Sequence, residues 1–232
     1  MKTTYKIILA AIFVVAISGA TSAAVIYKFP QLIVASMENY QEKMMKKQEE
    51  SSKTSLSSRA DEILNDPTDP FIGPKDSKKI IVEFFDYNCG YCKKAFTEIA
   101  QIKEKNPDVK IIFKEFPIFG PPSEAVSRVA LAVHKIAPDK YYAFHSKLME
   151  FKGDKTPEVL NGFIKELGIN IDIKTEIEKP EYAEKIKRDQ ELATSLGIQG
   201  TPGFIINGEL IPGYISYEEI IGRVNATPNA GK

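Results

Sequence analysis

The chain has 232 residues, of which 43% are apolar and 27% charged, so a real core can form and intrinsic disorder is excluded as the general state. Lys plus Arg and Asp plus Glu are both 31, and this zero net charge gives no global pull toward nucleic acid or an anionic membrane surface. With only two cysteines, Cys89 and Cys92, no disulfide framework is available, and the thiols call for a chemical explanation.

Lys2 and Lys6 precede an uncharged stretch from Ile7 to Tyr27, whose most apolar part ends near Ile17 and is followed by small residues through Ala24. This is the pattern of an export signal, residues 1–24, with an uncleaved membrane anchor as the alternative. Both place the remainder outside the cytoplasm, where a disulfide persists. No cysteine lies near enough for lipid attachment. Residues 25–66 read as a helical stalk: Ile33, Met37, Tyr40 and Met44 recur at helical steps within 31–65, charge clusters from Gln41 to Glu50, and the polar run Ser51–Ser55 is expected to break the helix. The apolar stripe serves either as a homo-oligomer seam or as one side of a solvated spacer. Asp66-Pro67 and Asp69-Pro70 stop it and mark the start of a domain over 67–227, leaving 228–232 as a tail.

Ile80 to Phe85 is a β-rich apolar run, Gly90 to Lys105 carries apolar residues at helical spacing, and Val109 to Phe116 is a second strand. Strand, helix and strand in this order predict a right-handed βαβ unit with parallel strands. From about 120 to 196 the pattern is helical throughout, punctuated by proline and glycine. Gly203 to Pro212 reads as a hairpin turning at Asn207-Gly208, and Tyr217 to Asn225 as a closing helix.

Cys89-Gly90-Tyr91-Cys92 falls between the first strand and its helix. A helix N-terminus there aims unpaired N–H groups and a positive partial charge at the first sulfur, which acidifies it. Cys89 is the candidate nucleophile and Cys92 the resolving thiol. Zinc is the competing use of such a pair, but only His134 and His145 remain as ligands and neither has motif spacing; no metal is assigned, and both histidines are expected on helix surfaces. Two close thiolates also suit Cu(I), which keeps a copper-handling role as an alternative. Another is an envelope structural role with residual redox activity. Glu83, in the middle of an apolar strand, needs a partner or a function; a charge pair with Lys110 or Lys114 on the neighbouring strand is expected, with the carboxyl exchanging protons with Cys92. Gly200-Thr201-Pro202-Gly203 leads the hairpin, where a proline can hold a cis bond.

Val82 to Cys92 together with Gly200 to Gly208 resembles the DsbA-type thiol–disulfide oxidoreductases of the bacterial envelope, over about residues 70 to 225. The stretch separating Cys92 from Pro202 far exceeds what a plain thioredoxin fold needs. The resemblance implies an α/β thioredoxin fold with an inserted all-helical subdomain behind the stalk. It also implies a cis Pro202 beside the cysteines, Thr201 pairing with substrate backbone, Gly90 and Tyr91 at the substrate face, and Glu83 paired with Lys110. Strongly oxidising members carry Pro-His between the cysteines and Val before the cis-proline. Gly90-Tyr91 and Thr201 resemble the isomerase DsbC instead, and a stalk ahead of such a domain is similar to ScsC-type oligomeric proteins. The expectation is dithiol–disulfide exchange on unfolded or misoxidised envelope proteins, leaning to isomerase or reductase, with DsbA-like oxidase as alternative. No cofactor is implied, only a membrane redox partner, in the periplasm of a Gram-negative bacterium.

Overall fold

A computed structural model describes residues 30–226, so the expected signal or anchor, Ile7 to Tyr27, lies outside the described residues. The chain divides into two compact units that meet at Ser51/Ser52. In the first, residues 30–51 belong to helix α1 (Pro30–Ser58), and Val34, Met37, Tyr40, Met44 and Met45 are exposed. Lys46 and Glu42 pair one turn apart at 2.6 Å. The expected break at Ser51–Ser55 does not occur. That run contains neither proline nor glycine, and serine costs a helix only a few tenths of a kcal/mol per residue. Ser57 and Ser58 turn their hydroxyls back to the carbonyls of Thr54 and Ser55, each at 3.0 Å.

The second unit is built on a five-stranded sheet in the order β1-β3-β2-β4-β5. Strands β2 (Lys79–Phe85) and β3 (Val109–Glu115) are parallel and joined by α3 (Gly90–Lys105). The antiparallel members are β1 (Phe71–Ile72) on β3, β4 (Gly203–Ile206) on β2, and β5 (Glu209–Pro212) on β4. Between β3 and β4 the chain forms α4 (Pro121–Ile136), a short 3₁₀ turn, α5 (Tyr141–Glu150), α6 (Pro157–Glu166), α7 (Ile173–Glu176) and α8 (Pro180–Ser195). The fold is the expected thioredoxin-like sheet with an all-helical insertion, closed by α9 (Tyr217–Asn225). At the hairpin, Asn207 and Gly208 both have positive φ, 51° and 75°, as the two-residue turn requires. Gly73 answers a different demand: a Cβ there would sit 2.1 Å from the Val109 carbonyl oxygen, so only glycine lets β1 reach the sheet edge.

Alternation along β2 and β3 divides the core in two. Ile81, Phe85, Ile111 and Phe113 face α3, α9 and the helices α4 to α6. Val82, Phe84 and Ile112 face Leu192, Ala193 and Leu196 of α8, and also Leu56 and Ile63. Leu56 lies in the last turn of α1, and Ile63 in the short α2 (Ala60–Leu64). The globular unit therefore reaches back to Ser52 rather than starting at 67, because these two side chains complete its second core.

Candidate active site

The C-terminal end of β2 delivers the chain through Asp86-Tyr87-Asn88 into α3, and Cys89 is the N-cap of that helix. Its extended backbone turns Sγ over the first turn, where it accepts from the Cys92 amide at 3.4 Å. Both thiols are free. The Cys92 thiol, the Thr201 hydroxyl and the amides of Cys92 and Tyr91 outweigh burial and bring the Cys89 pKa down to about 6. Cys92, one turn on and fully buried, is pushed strongly the other way by burial, by the Cys89 sulfur and by Glu83. One acidified thiol, only 4% exposed, and one inert thiol result. Gly90 is exposed, and Tyr91 is 66% exposed.

The Thr201–Pro202 peptide is cis. It brings the Thr201 carbonyl oxygen to 3.3 Å from Cys89 Sγ, and the Pro202 carbonyl is held by the Gly213 amide at 2.8 Å. Glu83 projects on the α3 face of the sheet, between Phe113 and Phe204 on the flanking strands. It is 1% exposed, and its Oε1 has no hydrogen-bond partner. Burial and the Cys89 charge raise its pKa to about 8. The expected pair with Lys110 is not formed. Lys110 and Lys114 are even-numbered on β3, Glu83 stands opposite odd-numbered Phe113, and alternation puts both lysines on the other face. Lys110 lies over the Phe71 ring at 4.8 Å, while Lys114 is buried against Asp69 at 2.5 Å.

Comparison with known proteins agrees with this geometry. The profile of the DSBA-like thioredoxin domain matches residues 80–224. The chain belongs to that family. It is 29% identical over 162 residues to "Disulfide bond formation protein D" of Bacillus subtilis strain 168, covering 65% of this chain and 73% of that one. The catalytic domain of Proteus mirabilis ScsC superposes with a TM-score of 0.68 at 32% identity, covering 74% of this chain and 96% of the other. The thiol-disulfide exchange protein alpha-DsbA2 of Wolbachia pipientis gives 0.70 at 30% identity, over 75% and 94%. This DsbA-like chain is a thiol–disulfide oxidoreductase.

Several residues around the DsbA-like site carry no motif. Asp86, fully buried, accepts from the Asn88, Ile118 and Phe119 amides at 2.7, 2.8 and 3.1 Å and from Ser123 Oγ at 2.8 Å. It thereby ties the turn before Cys89 to the loop entering the insertion. Lys155 Nζ donates to the Tyr87 carbonyl at 2.9 Å and to Asn88 Oδ1 at 3.1 Å. An Asp directly after an apolar strand was a readable hint of such a knot; nothing marked Lys155. His145 is not on a surface, as expected, but fully buried within the α3-side core, among rings including Phe85, Phe113 and Tyr142. Its Nδ1 bonds the Tyr87 hydroxyl at 3.0 Å, and burial lowers its pKa to about 3, so it is neutral. His134 is half-buried, edge-on to Tyr141 at 5.4 Å.

Proposed function

We propose that this protein works in the bacterial envelope as a disulfide isomerase or reductase, with Cys89 as nucleophile and Cys92 as resolving thiol. The Cys89 thiolate attacks a substrate disulfide, a mixed disulfide forms, and one substrate sulfur leaves as thiolate. Cys92 passes its proton to the Glu83 carboxylate and attacks Cys89 Sγ, releasing the reduced substrate with the enzyme oxidised; alternatively, a substrate thiol displaces Cys89 and completes isomerisation. Thr201 and Pro202 form the platform against which substrate backbone is laid, with Gly90 and Tyr91 at its rim.

The observation that carries the direction is the exposed Tyr91 between the cysteines. It supplies no cation to the thiolate, so the Cys89 pKa stops at about 6. A thiol with a pKa close to ambient pH attacks efficiently yet is not so stabilised that its disulfide becomes a strong oxidant. A dithiol that must be kept reduced in an oxidising compartment requires an electron donor at the membrane, and the stripe of Met37, Tyr40 and Met44 supports association of copies through residues 31–51. An oxidase reading is favoured by the name of the Bacillus relative; it replaces the donor with a quinone-linked reoxidase.

Refolding of scrambled ribonuclease in glutathione buffer, set beside oxidation of the reduced form, separates the two. The comparison uses the mature chain with and without residues 31–51, because a deletion through 65 would also remove Leu56 and Ile63 from the core. Unscrambling that depends on 31–51 is the expected result. Oxidation without unscrambling, indifferent to the truncation, establishes the oxidase. Cys92→Ala should trap mixed disulfides with envelope proteins, and failure to trap any overturns the assignment of Cys89.

A further inference from the structure

The helical insertion touches the turn before the nucleophile at two places. Ser123, in the first turn of α4, accepts from Asn88 Nδ2 at 2.9 Å and donates to Asp86. From the other side comes Lys155, in the segment between α5 and α6. Its ammonium bridges the Tyr87 carbonyl and the Asn88 side chain, the two residues immediately before Cys89. The segment is itself pinned to the cysteine helix, since Lys93 Nζ donates to the Phe151 carbonyl at 2.9 Å. Lys155 is half-buried, so its charge is only partly screened by solvent.

We propose that Lys155 is a positioning residue for Cys89: it fixes the Tyr87–Asn88 turn and holds a positive charge on the turn that delivers the nucleophile, so the insertion sets the reactivity of the nucleophile. No residue between the cysteines supplies such a charge, and the inserted subdomain does so from outside the motif. The charged groups around the ammonium are Lys93, Asp86 and Asp154. Burial first, then Lys93, lowers the Lys155 pKa to about 8, with Asp86 and Asp154 opposing. Because that value lies above the roughly 6 of Cys89, Lys155 stays charged while the thiol ionises.

This inference rests on Cys89 being the nucleophile, and the experiment distinguishes the two. The reduced full chain is titrated by thiolate ultraviolet absorbance as wild type, Cys89→Ser, Lys155→Met and Lys155→Arg, with folding checked by far-ultraviolet circular dichroism. The wild type should show one transition near pH 6 that Cys89→Ser abolishes. Lys155→Met should move it upward by roughly half a unit, the effect of one partly screened charge nearby, and Lys155→Arg should restore it. If Lys155→Met does not fold, Lys155→Gln provides the same charge removal while keeping a donor. A folded Lys155→Met or Lys155→Gln protein titrating like wild type overturns the proposal, as does an arginine variant displaced as far as the methionine one. A wild-type transition that survives in Cys89→Ser removes the nucleophile assignment, and this inference with it.

Discussion

Cys89 Sγ lies 3.3 Å from the backbone carbonyl oxygen of Thr201, across the cis peptide that precedes Pro202. Two segments separated by the whole helical insertion thus meet at one sulfur. The thiol donates to that carbonyl, whereas the thiolate, an acceptor only, cannot keep the bond. Ionisation therefore exchanges this contact for those from the Cys92 thiol, the helix amides and the Thr201 hydroxyl.

Thr201→Val tests the last of these donors. The Thr201 hydroxyl is buried with no hydrogen-bond partner while the thiol is protonated, and it lowers the Cys89 pKa by donating to the thiolate. Valine keeps the shape and loses the donor, so the Cys89 pKa should rise by roughly half to one unit, in line with one lost hydrogen bond to a charged group. Alkylation by iodoacetamide followed against pH reads this directly, and an unmoved midpoint refutes it.

Tyr91→His places an imidazole beside the nucleophile. A protonated ring there should draw the Cys89 pKa below about 6 and make the disulfide more oxidising, because the reduced form gains the stabilised thiolate. Equilibration with glutathione should show a larger reduced fraction than wild type at the same buffer ratio. Unscrambling of ribonuclease should fall. If the equilibrium is unchanged, the missing cation is not what sets the direction of this enzyme.

The parts of this site that follow from local pattern were readable in the sequence. The strand, turn and helix around Cys89 depend on neighbouring residues, and so does the Asn207-Gly208 hairpin. Relationships set by strand parity were not. Which lysine can face Glu83 depends on the β2–β3 register, and a shift of one residue reverses the answer. His145 escaped because a histidine one turn from Tyr141 and Tyr142 reads as a helix-face residue until the facing strands bring Phe85 and Phe113 around it. The Ser51–Ser55 run misled for a related reason: weak local propensity yields where a helix end such as Leu56 is buried by tertiary contact.

Glu83→Gln should affect both chemistry and stability. With no base to take the Cys92 proton, resolution of the mixed disulfide should slow on the order of 10²-fold, the scale of a lost general base. The stability effect has a definite sign. The folded-state pKa of about 8 exceeds the ordinary value of 4.5, so the folded protein holds this proton more tightly. Relative stability from this group is fully present below about 4.5 and is lost as pH rises toward 8. Glutamine escapes the loss, so the variant should gain on wild type across that window by up to about 4 kcal/mol, visible in urea unfolding at pH 5 and pH 9. A constant difference between the two pH values contradicts the buried, unpartnered carboxyl.

The opposite face of the sheet carries a buried polar knot whose removal should be costly. Lys185 Nζ bonds Asp69 and Asp189, each at 2.6 Å, while Lys114 Nζ forms an ion pair with Asp69 at 2.5 Å and donates to the Glu62 carbonyl at 2.6 Å. Asp189 also accepts the Glu115 amide at 3.2 Å. Burial opposes the Lys185 charge, but Asp189 and Asp69 outweigh it and hold its pKa above the ordinary value. Helix α8, strand β3, the segment before β1 and the end of α2 all meet here. Lys114→Met leaves Asp69 buried with half its compensation and strips the Glu62 carbonyl of a donor, so it should cost about 3–5 kcal/mol, the range for one broken member of a buried ion pair. A joint Lys114→Met, Asp69→Leu change should recover part of that loss, because it removes the stranded carboxylate as well, although Lys185 then keeps only Asp189 and the more distant Asp66 at 3.5 Å. Urea unfolding of the two variants decides it: a single variant within about 1 kcal/mol of wild type means the knot adds nothing net, and a double variant as weak as the single means that the loss came from packing and not from the stranded charge.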